Sequence, residues 1–401
     1  MNFCPAHEVF GNNKSIDFSA HNAEVEALWK AYNDRRPPRV PMIIGANCRI
    51  IVLNKELNPE GVTFRDVFTD PAIMLEVALR FAYYMRFFLP SDRPMGMPEH
   101  WTATAITMNT FEAEWFGAEL EFIDGDTPDC RPFLSDDNKN MLFDRGVPNP
   151  FVRNAAFTRD CCEYFQDLID KGFMYENLPL AKVYPPSFVG TDGPFTVACA
   201  IRGAAELCCD LYEDPGYVHA LLSYITESTI ERIKAWRRLF GLSDTTPDDA
   251  FFIPDDSIAL LSPEMYCEFV MPYHKKLVNA LGNSALPTKT HLCGDATRHF
   301  KTMRDELNTF SFDTGFPIDH GAMVQILGPN VEILGGPPIY LLLNGTPDEV
   351  KLETERILFA VMKHTKRFIL REGNNLPPCT PAANIAAMYE TAKRMQYLYY
   401  D

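Results

Sequence analysis

Five times along the chain a residue with a short oxygen-bearing side chain precedes proline, and apolar positions then recur every three to four residues. The pattern stands at Asp70-Pro71 before "AIMLEVALRFAYYMRFF", Asp214-Pro215 before "GYVHALLSYITESTIERIKAW" and Ser262-Pro263 before "EMYCEFVMPYHKKLVNAL". It returns at Thr346-Pro347 before "DEVKLETERILFAVMKH" and Thr380-Pro381 before "AANIAAMYETAKRMQYLYY". In each the side-chain oxygen can accept from an orphaned backbone N–H, while proline stands where its missing donor costs nothing. Each therefore predicts a helix start, and Thr346 with Glu349 adds capping-box spacing. Between them lie short β-like runs closed by Gly, Pro, Asp or Glu: "LPLAKVYPPSFVG", "DAFFIP", "LPTKTHLC", "TFSFDTG", "VEILGG" and "KRFILREG". From "DAFFIP" onward strand and helix signals alternate, which is the βα signature of a parallel sheet.

A doubly wound sheet usually carries a G-x-G-x-x-G turn after an early strand, and none is present. The pattern therefore predicts an α/β fold of the (β/α)8 TIM-barrel type. Residues 1–40 read as an N-terminal extension and 41–401 as the barrel domain. The irregular, aromatic stretch 91–150 reads as a cap or insertion over the barrel mouth.

Composition narrows the function classes. The 401 residues hold 37 Lys+Arg against 54 Asp+Glu, a formal charge of -17, which repels polyphosphate and sets nucleic-acid binding aside. Hydrophobic residues at 46% supply a large core. No basic start leads into an apolar run and no long uncharged apolar stretch occurs, so a soluble, cytoplasmic protein without a membrane partner is expected. In that compartment the 11 cysteines are mostly free thiols, and the pairs Cys161-Cys162 and Cys208-Cys209 read as buried, inert packing.

In a barrel, chemistry collects at the C-terminal ends of the strands. Those ends carry Asp255 and Asp256 after "AFFIP", His291 and Cys293 in "PTKTHLCGDATRHF", Asp313 after "FSF" and Glu372 after "RFIL". Residues i and i+2 of a strand share a face, so His291 and Cys293 can converge on one point, and imidazole with thiolate suits zinc. The pair alone reads better as an ordinary packed histidine and cysteine, and a third ligand is needed. Cys379 supplies a third donor: beside the helix start expected at Thr380, the positive end of the helix dipole favours its thiolate. His291, Cys293 and Cys379 make a three-ligand set with an open fourth position, as in catalytic zinc sites. Asp255 and Asp256 are candidates to orient substrate or complete the zinc sphere, with a solvated strand-end pair as the other reading. Asp192 in "VGTDGPF" and Glu372 are candidate substrate-binding carboxylates. His299 falls in the helix-like "ATRHFKTMRDEL" and is left out of the site.

"HLCG" followed some ninety residues later by "CTPAANIAAM" resembles the H-x-C…C zinc motif of cobalamin-dependent methyltransferases in the uroporphyrinogen decarboxylase superfamily. The resemblance extends through "GPFTVACAIRGAAELCCDLYEDPGYVHALL", "PDDSIALLSPEMYCEFVMPYHKKL" and "VEILGGPPIYLLLNGTPDEVKLETERIL", over roughly residues 185–395. It implies a barrel enzyme that uses zinc to move a methyl group between a small substrate and cobalamin. The substrate is either a methyl donor such as a methoxylated aromatic or a thiol such as coenzyme M. No cobalamin module or D-x-H-x-x-G signature is visible, which implies that the corrinoid is carried by a separate protein. The decarboxylase branch, which needs no metal, carries an F-x-R-Q-A-G-R-Y signature; the corresponding "RVPMIIGANCRI" lacks it, and past its opening Arg39 holds a single Arg49. A metal-free decarboxylase and a noncatalytic binding barrel remain the alternatives.

Overall fold

The computed structural model describes residues 6–397 except 12, 14, 247, 248 and 284. The end of the last sequence-predicted helix, 398–400, lies outside the described residues. In chain order the strands are β1 (Trp101–Thr104), β2 (Leu120–Glu121), β3 (Asp129–Cys130), β4 (Met174–Tyr175) and β5 (Leu178–Tyr184). They continue with β6 (Phe251–Phe252), β7 (Thr288–Leu292), β8 (Thr309–Thr314), β9 (Glu332–Gly335) and β10 (Phe368–Leu370).

The second half folds as the alternation predicts. Strands β6 to β10 form a parallel sheet in the order β10-β9-β8-β7-β6. The segment around Met42 continues it, pairing in parallel with Leu370 and exchanging backbone hydrogen bonds through Pro41 and Ile43. Asp92 N–H in turn donates to the Met42 carbonyl. The other arc is built from β1 and β5, paired in parallel, with β4 folded back on β5. The fold is α/β of TIM-barrel type, although the strand ladder is not continuous around the whole ring among the described residues. β1 lies inside the stretch read as irregular, which also holds the Phe111–Phe116 helix and the β2/β3 hairpin.

Four of the five expected caps form. The side chains of Asp70, Asp214, Ser262 and Thr346 accept from Ala72, Tyr217, Met265 and Glu349 N–H, the last within a full capping box. Thr380 does not cap. Its hydroxyl donates to the Pro377 carbonyl at 2.8 Å, and the last helix runs Ala382–Arg394. The Pro377-Pro378 pair holds a turn that consumes the hydroxyl before the helix begins. Among the expected inert thiols, Cys161 and Cys162 are buried, but Cys209 is exposed and Cys208 only half-buried.

Two apolar cores form. The larger surrounds the parallel sheet and includes Phe195, Leu292, Phe312, Ile333 and Leu370. The smaller joins the Pro71–Phe88 helix, β1 and β5 through Tyr83, Phe87, Trp101, Phe165 and Leu180.

Candidate metal centre at the strand ends

Three potential ligands converge at the end of β7. Asp256, His291 and Cys293 are each half-buried, and one donor atom of each lies within 4.8 Å of the other two. His291 and Cys293 meet because they sit two residues apart on one face, with Nε2 and Sγ 3.0 Å apart. Asp256 enters from the turn after β6, whose register beside β7 places it there, and its Oδ1 accepts from Cys293 N–H at 2.7 Å.

The other side of the imidazole is held as firmly. β8 lies beside β7 with Asp313 in register with His291, and the Asp313 carboxylate stands 2.8 Å from Nδ1. Arg371 reaches from the end of β10 to the same carboxylate and, at 2.7 Å, to Glu372. Burial alone would depress the His291 imidazole, but Asp313 and Cys293 outweigh it and push it up to about 10. Burial raises the Cys293 thiol, against the pull of His291.

The donor set fits zinc. Bond lengths of about 2.0 Å to nitrogen and 2.3 Å to sulfur put tetrahedral ligands roughly 3.5 Å apart, within the 4.8 Å that bounds the three donor atoms here. Asp313 on Nδ1 leaves Nε2 as the metal-facing nitrogen, the usual carboxylate–histidine arrangement.

The remaining sequence candidates divide. Asp192 lies near the cluster: its backbone N–H donates to Glu112 at 2.6 Å, and burial with the charges of Glu112 and Asp256 pushes its carboxyl well above the usual range. Asp255 is completely buried and turned away from the cluster. It accepts from the N–H groups of Phe195 and Thr196 and the Thr196 hydroxyl, capping the Pro194–Arg202 helix, and pairs with His274 at 3.0 Å. Neighbouring residues after a strand point opposite ways, and of the two candidate carboxylates it is Asp256 that joins His291 and Cys293. Glu372 is also fully buried, held by Gly45 N–H at 2.8 Å and by Arg371, with burial raising its carboxyl to about 7. It braces the cluster from behind rather than facing a substrate.

Cys379 is not brought into the group. It is exposed, in left-handed conformation at φ +62, within the turn before the last helix. The start of the same loop does touch the site, since Asn374 Oδ1 lies 3.6 Å from Cys293 Sγ. Asp313 was visible as a strand-end acid, but its partnership with His291 was not. Arg371 and Glu112 carried no local signal. Glu112 forms a buried pair with Arg232 at 2.7 Å and also receives the Thr191 hydroxyl, fixing the Asp192 loop.

Comparisons with known proteins place the chain in a family and a fold. The family model described as uroporphyrinogen decarboxylase (URO-D) matches residues 102–395. The methylcobamide:CoM methyltransferase MtbA of Methanosarcina mazei is 31% identical over 210 residues, 51% of this chain and 57% of that protein. A uroporphyrinogen decarboxylase of Geobacter metallireducens is 26% identical over 209 residues, 50% of this chain and 58% of the relative. The chain thus spans little more than half the length of these relatives. A solved methyltransferase from Methanosarcina mazei shares the fold, with a TM-score of 0.62 over 92% of this chain and 98% of that one at 19% identity.

Proposed function

Because the chain belongs to the uroporphyrinogen decarboxylase family and gathers a histidine, a cysteine and a carboxylate at its strand ends, we propose that it is a zinc-dependent methyltransferase. It moves a methyl group between a small molecule and cobalamin on a separate corrinoid protein. The small molecule is a methyl donor such as a methoxylated aromatic, or a thiol acceptor such as coenzyme M. The observation that carries this reading is the convergence of Asp256, His291 and Cys293. A metal-free decarboxylase has no use for a soft donor set braced by an outer carboxylate. The greater identity to the methylcobamide:CoM methyltransferase than to the decarboxylase points the same way. The enzyme is assigned to the cytoplasm, where its thiols stay reduced.

In this proposal His291 Nε2, Cys293 Sγ and Asp256 hold the metal, and Cys379 is the further soft ligand. Cys379 lies in the turn five residues after Asn374, which touches Cys293, and would have to move inward to join the set. Zinc, when bound, supplies Lewis acidity to the atom that gives up or receives the methyl group. Asp313 keeps the imidazole oriented, and Arg371 holds Asp313. Asp192, whose carboxyl is pushed up by burial and by the charges of Glu112 and Asp256, stands near the cluster as the candidate to contact the substrate.

Metal analysis of the purified chain tests the reading. About one zinc per chain is expected, falling to background in His291→Ala and Cys293→Ser, because a preformed site binds tightly. Less than about 0.2 zinc in the unaltered chain after zinc reconstitution rules the site out. A spectral screen of methoxyarenes, methylamines, methanol and thiols against free cobalamin then identifies donor and acceptor. Stoichiometric cobalamin retained by the chain alone contradicts the separate carrier.

A further inference from the structure

The turn that brings Asp256 to the cluster is held from behind by a chain of three fully buried polar side chains, Asp255, His274 and Tyr266. Asp255 faces His274 Nε2 at 3.0 Å, and His274 Nδ1 stands 3.1 Å from the Tyr266 hydroxyl. With Nε2–H given to the carboxylate, Nδ1 is the acceptor and the Tyr266 O–H the donor. Burial, and after it the charge of Asp255, pushes the phenol well above its usual range, which keeps that donor in place.

Tyr266 and His274 come from one helix, and an irregularity in it brings them into line. The helix runs Pro263–Met265, makes a π-turn over Tyr266–Val270, with Met271 N–H donating to the Tyr266 carbonyl, and continues as Met271–Leu281. In an uninterrupted α-helix, residues eight apart differ by about 80° around the axis. The extra residue of the π-turn reduces this to about 20°, so the two side chains share a face. π-Turns are rare and collect at functional sites.

Further along, the same turn is clamped by its neighbours. The Thr196 hydroxyl oxygen accepts from Ser257 N–H at 2.9 Å, His299 Nε2 stands 2.9 Å from the Ile258 carbonyl, and Arg298 donates to the Ala259 and Leu261 carbonyls. The His299 ring also packs on Tyr266 at 4.8 Å, which joins this clamp to the buried chain. On the side facing the cluster, Asp256 Oδ1 accepts from Cys293 N–H.

We propose that Tyr266 and His274 are positioning residues for the cluster: through Asp255 they set the turn so that the Asp256 carboxylate meets Cys293 N–H within reach of His291 and Cys293 Sγ. That Asp256 then holds a metal rests on the zinc-dependent reading; its placement does not.

The Cys293 amide reports that placement without any metal, because it donates to Asp256. In the full chain, with isotopically labelled cysteine nitrogen and stripped of metal, its NMR line is the one lost in Cys293→Ser. His274→Leu is expected to move that line and to speed its exchange with solvent roughly tenfold, with the lines of Cys161 and Cys162 in the smaller core unmoved. Asp256→Ala, which removes the acceptor, is expected to displace the line at least as far, and His274→Leu added to it to do no more. His274→Gln, whose amide can still donate to Asp255, is expected to restore the line. Tyr266→Phe keeps the ring and decides the matter where His274→Leu fails to fold, with roughly threefold faster exchange expected. A Cys293 line that stays in place in these variants overturns the proposal. So does one displaced equally in the Asp256→Ala background, or one that moves together with those of Cys161 and Cys162. Zinc affinity, read by chelator competition, is expected to fall at least about threefold in His274→Leu and Tyr266→Phe. A displaced line with unaltered zinc affinity, or in a chain that binds no zinc, supports the positioning and removes Asp256 as a ligand.

Discussion

His291 is gripped at both ring nitrogens, by Asp313 at Nδ1 and Cys293 at Nε2, and the two contacts have different roles. Asp313 fixes which nitrogen faces a metal. Asp313→Asn keeps the shape and removes the charge, so zinc affinity is expected to fall by roughly 10- to 100-fold, measured by competition with a chromophoric chelator. Gly45 is equally constrained, because a Cβ there falls 2.0 Å from Arg371 Nη2. Gly45→Ala is expected to push Arg371 off Glu372 and weaken zinc binding in the same assay, though by less than the loss of Asp313. At this scale His291 and Cys293 were legible because strand alternation is local. Asp313 as a partner was not, because it depends on the register of two strands whose paired residues lie 22 positions apart. The same alternation hid which of Asp255 and Asp256 faces inward.

Elements hold the site through their ends. The Pro194–Arg202 helix has Gly193 before it and no cap of its own; its first N–H groups are satisfied by Asp255 from the turn after β6. Asp255→Ala removes that cap and leaves Nε2 of buried His274 without its partner, Nδ1 keeping the Tyr266 hydroxyl. It is expected to cost about 1–3 kcal/mol, read from urea unfolding. Buried histidines set the acid limit. Burial holds His299 and His320 neutral, each down at about 4 against 6.5 when unfolded. A depressed folded value means the unfolded chain binds more protons, so this stability is full above about pH 6.5 and is lost as pH falls toward 4. The urea midpoint is expected to fall between pH 7 and pH 5, and His299→Gln with His320→Gln to flatten that slope while lowering stability at pH 7. The helix starts were legible because the cap-proline signal is local, four times in five. At Thr380 it failed because the preceding proline pair built a competing turn, and the argument that placed Cys379 beside a helix end failed with it.

For the whole molecule, the βα alternation was legible from residue 251 onward, where each strand is followed by its helix. The first half was not: β1 is four residues long, and its partner β5 lies more than seventy positions away. Within that first half the Phe111–Phe116 and Pro215–Leu239 helices are tied by the completely buried Arg232–Glu112 pair, with the guanidinium also over the Phe111, Trp115 and Phe188 rings at 5.1–5.7 Å. Arg232→Met leaves Glu112 charged and unpaired and is expected to cost about 3–5 kcal/mol, seen as a shift in the thermal midpoint. The division into two apolar cores has its own consequence in time. Amide exchange in the Pro71–Phe88 helix and β1 is expected to follow an opening confined to the smaller core and to run faster than exchange in β7 to β9, whose side chains belong to the larger one.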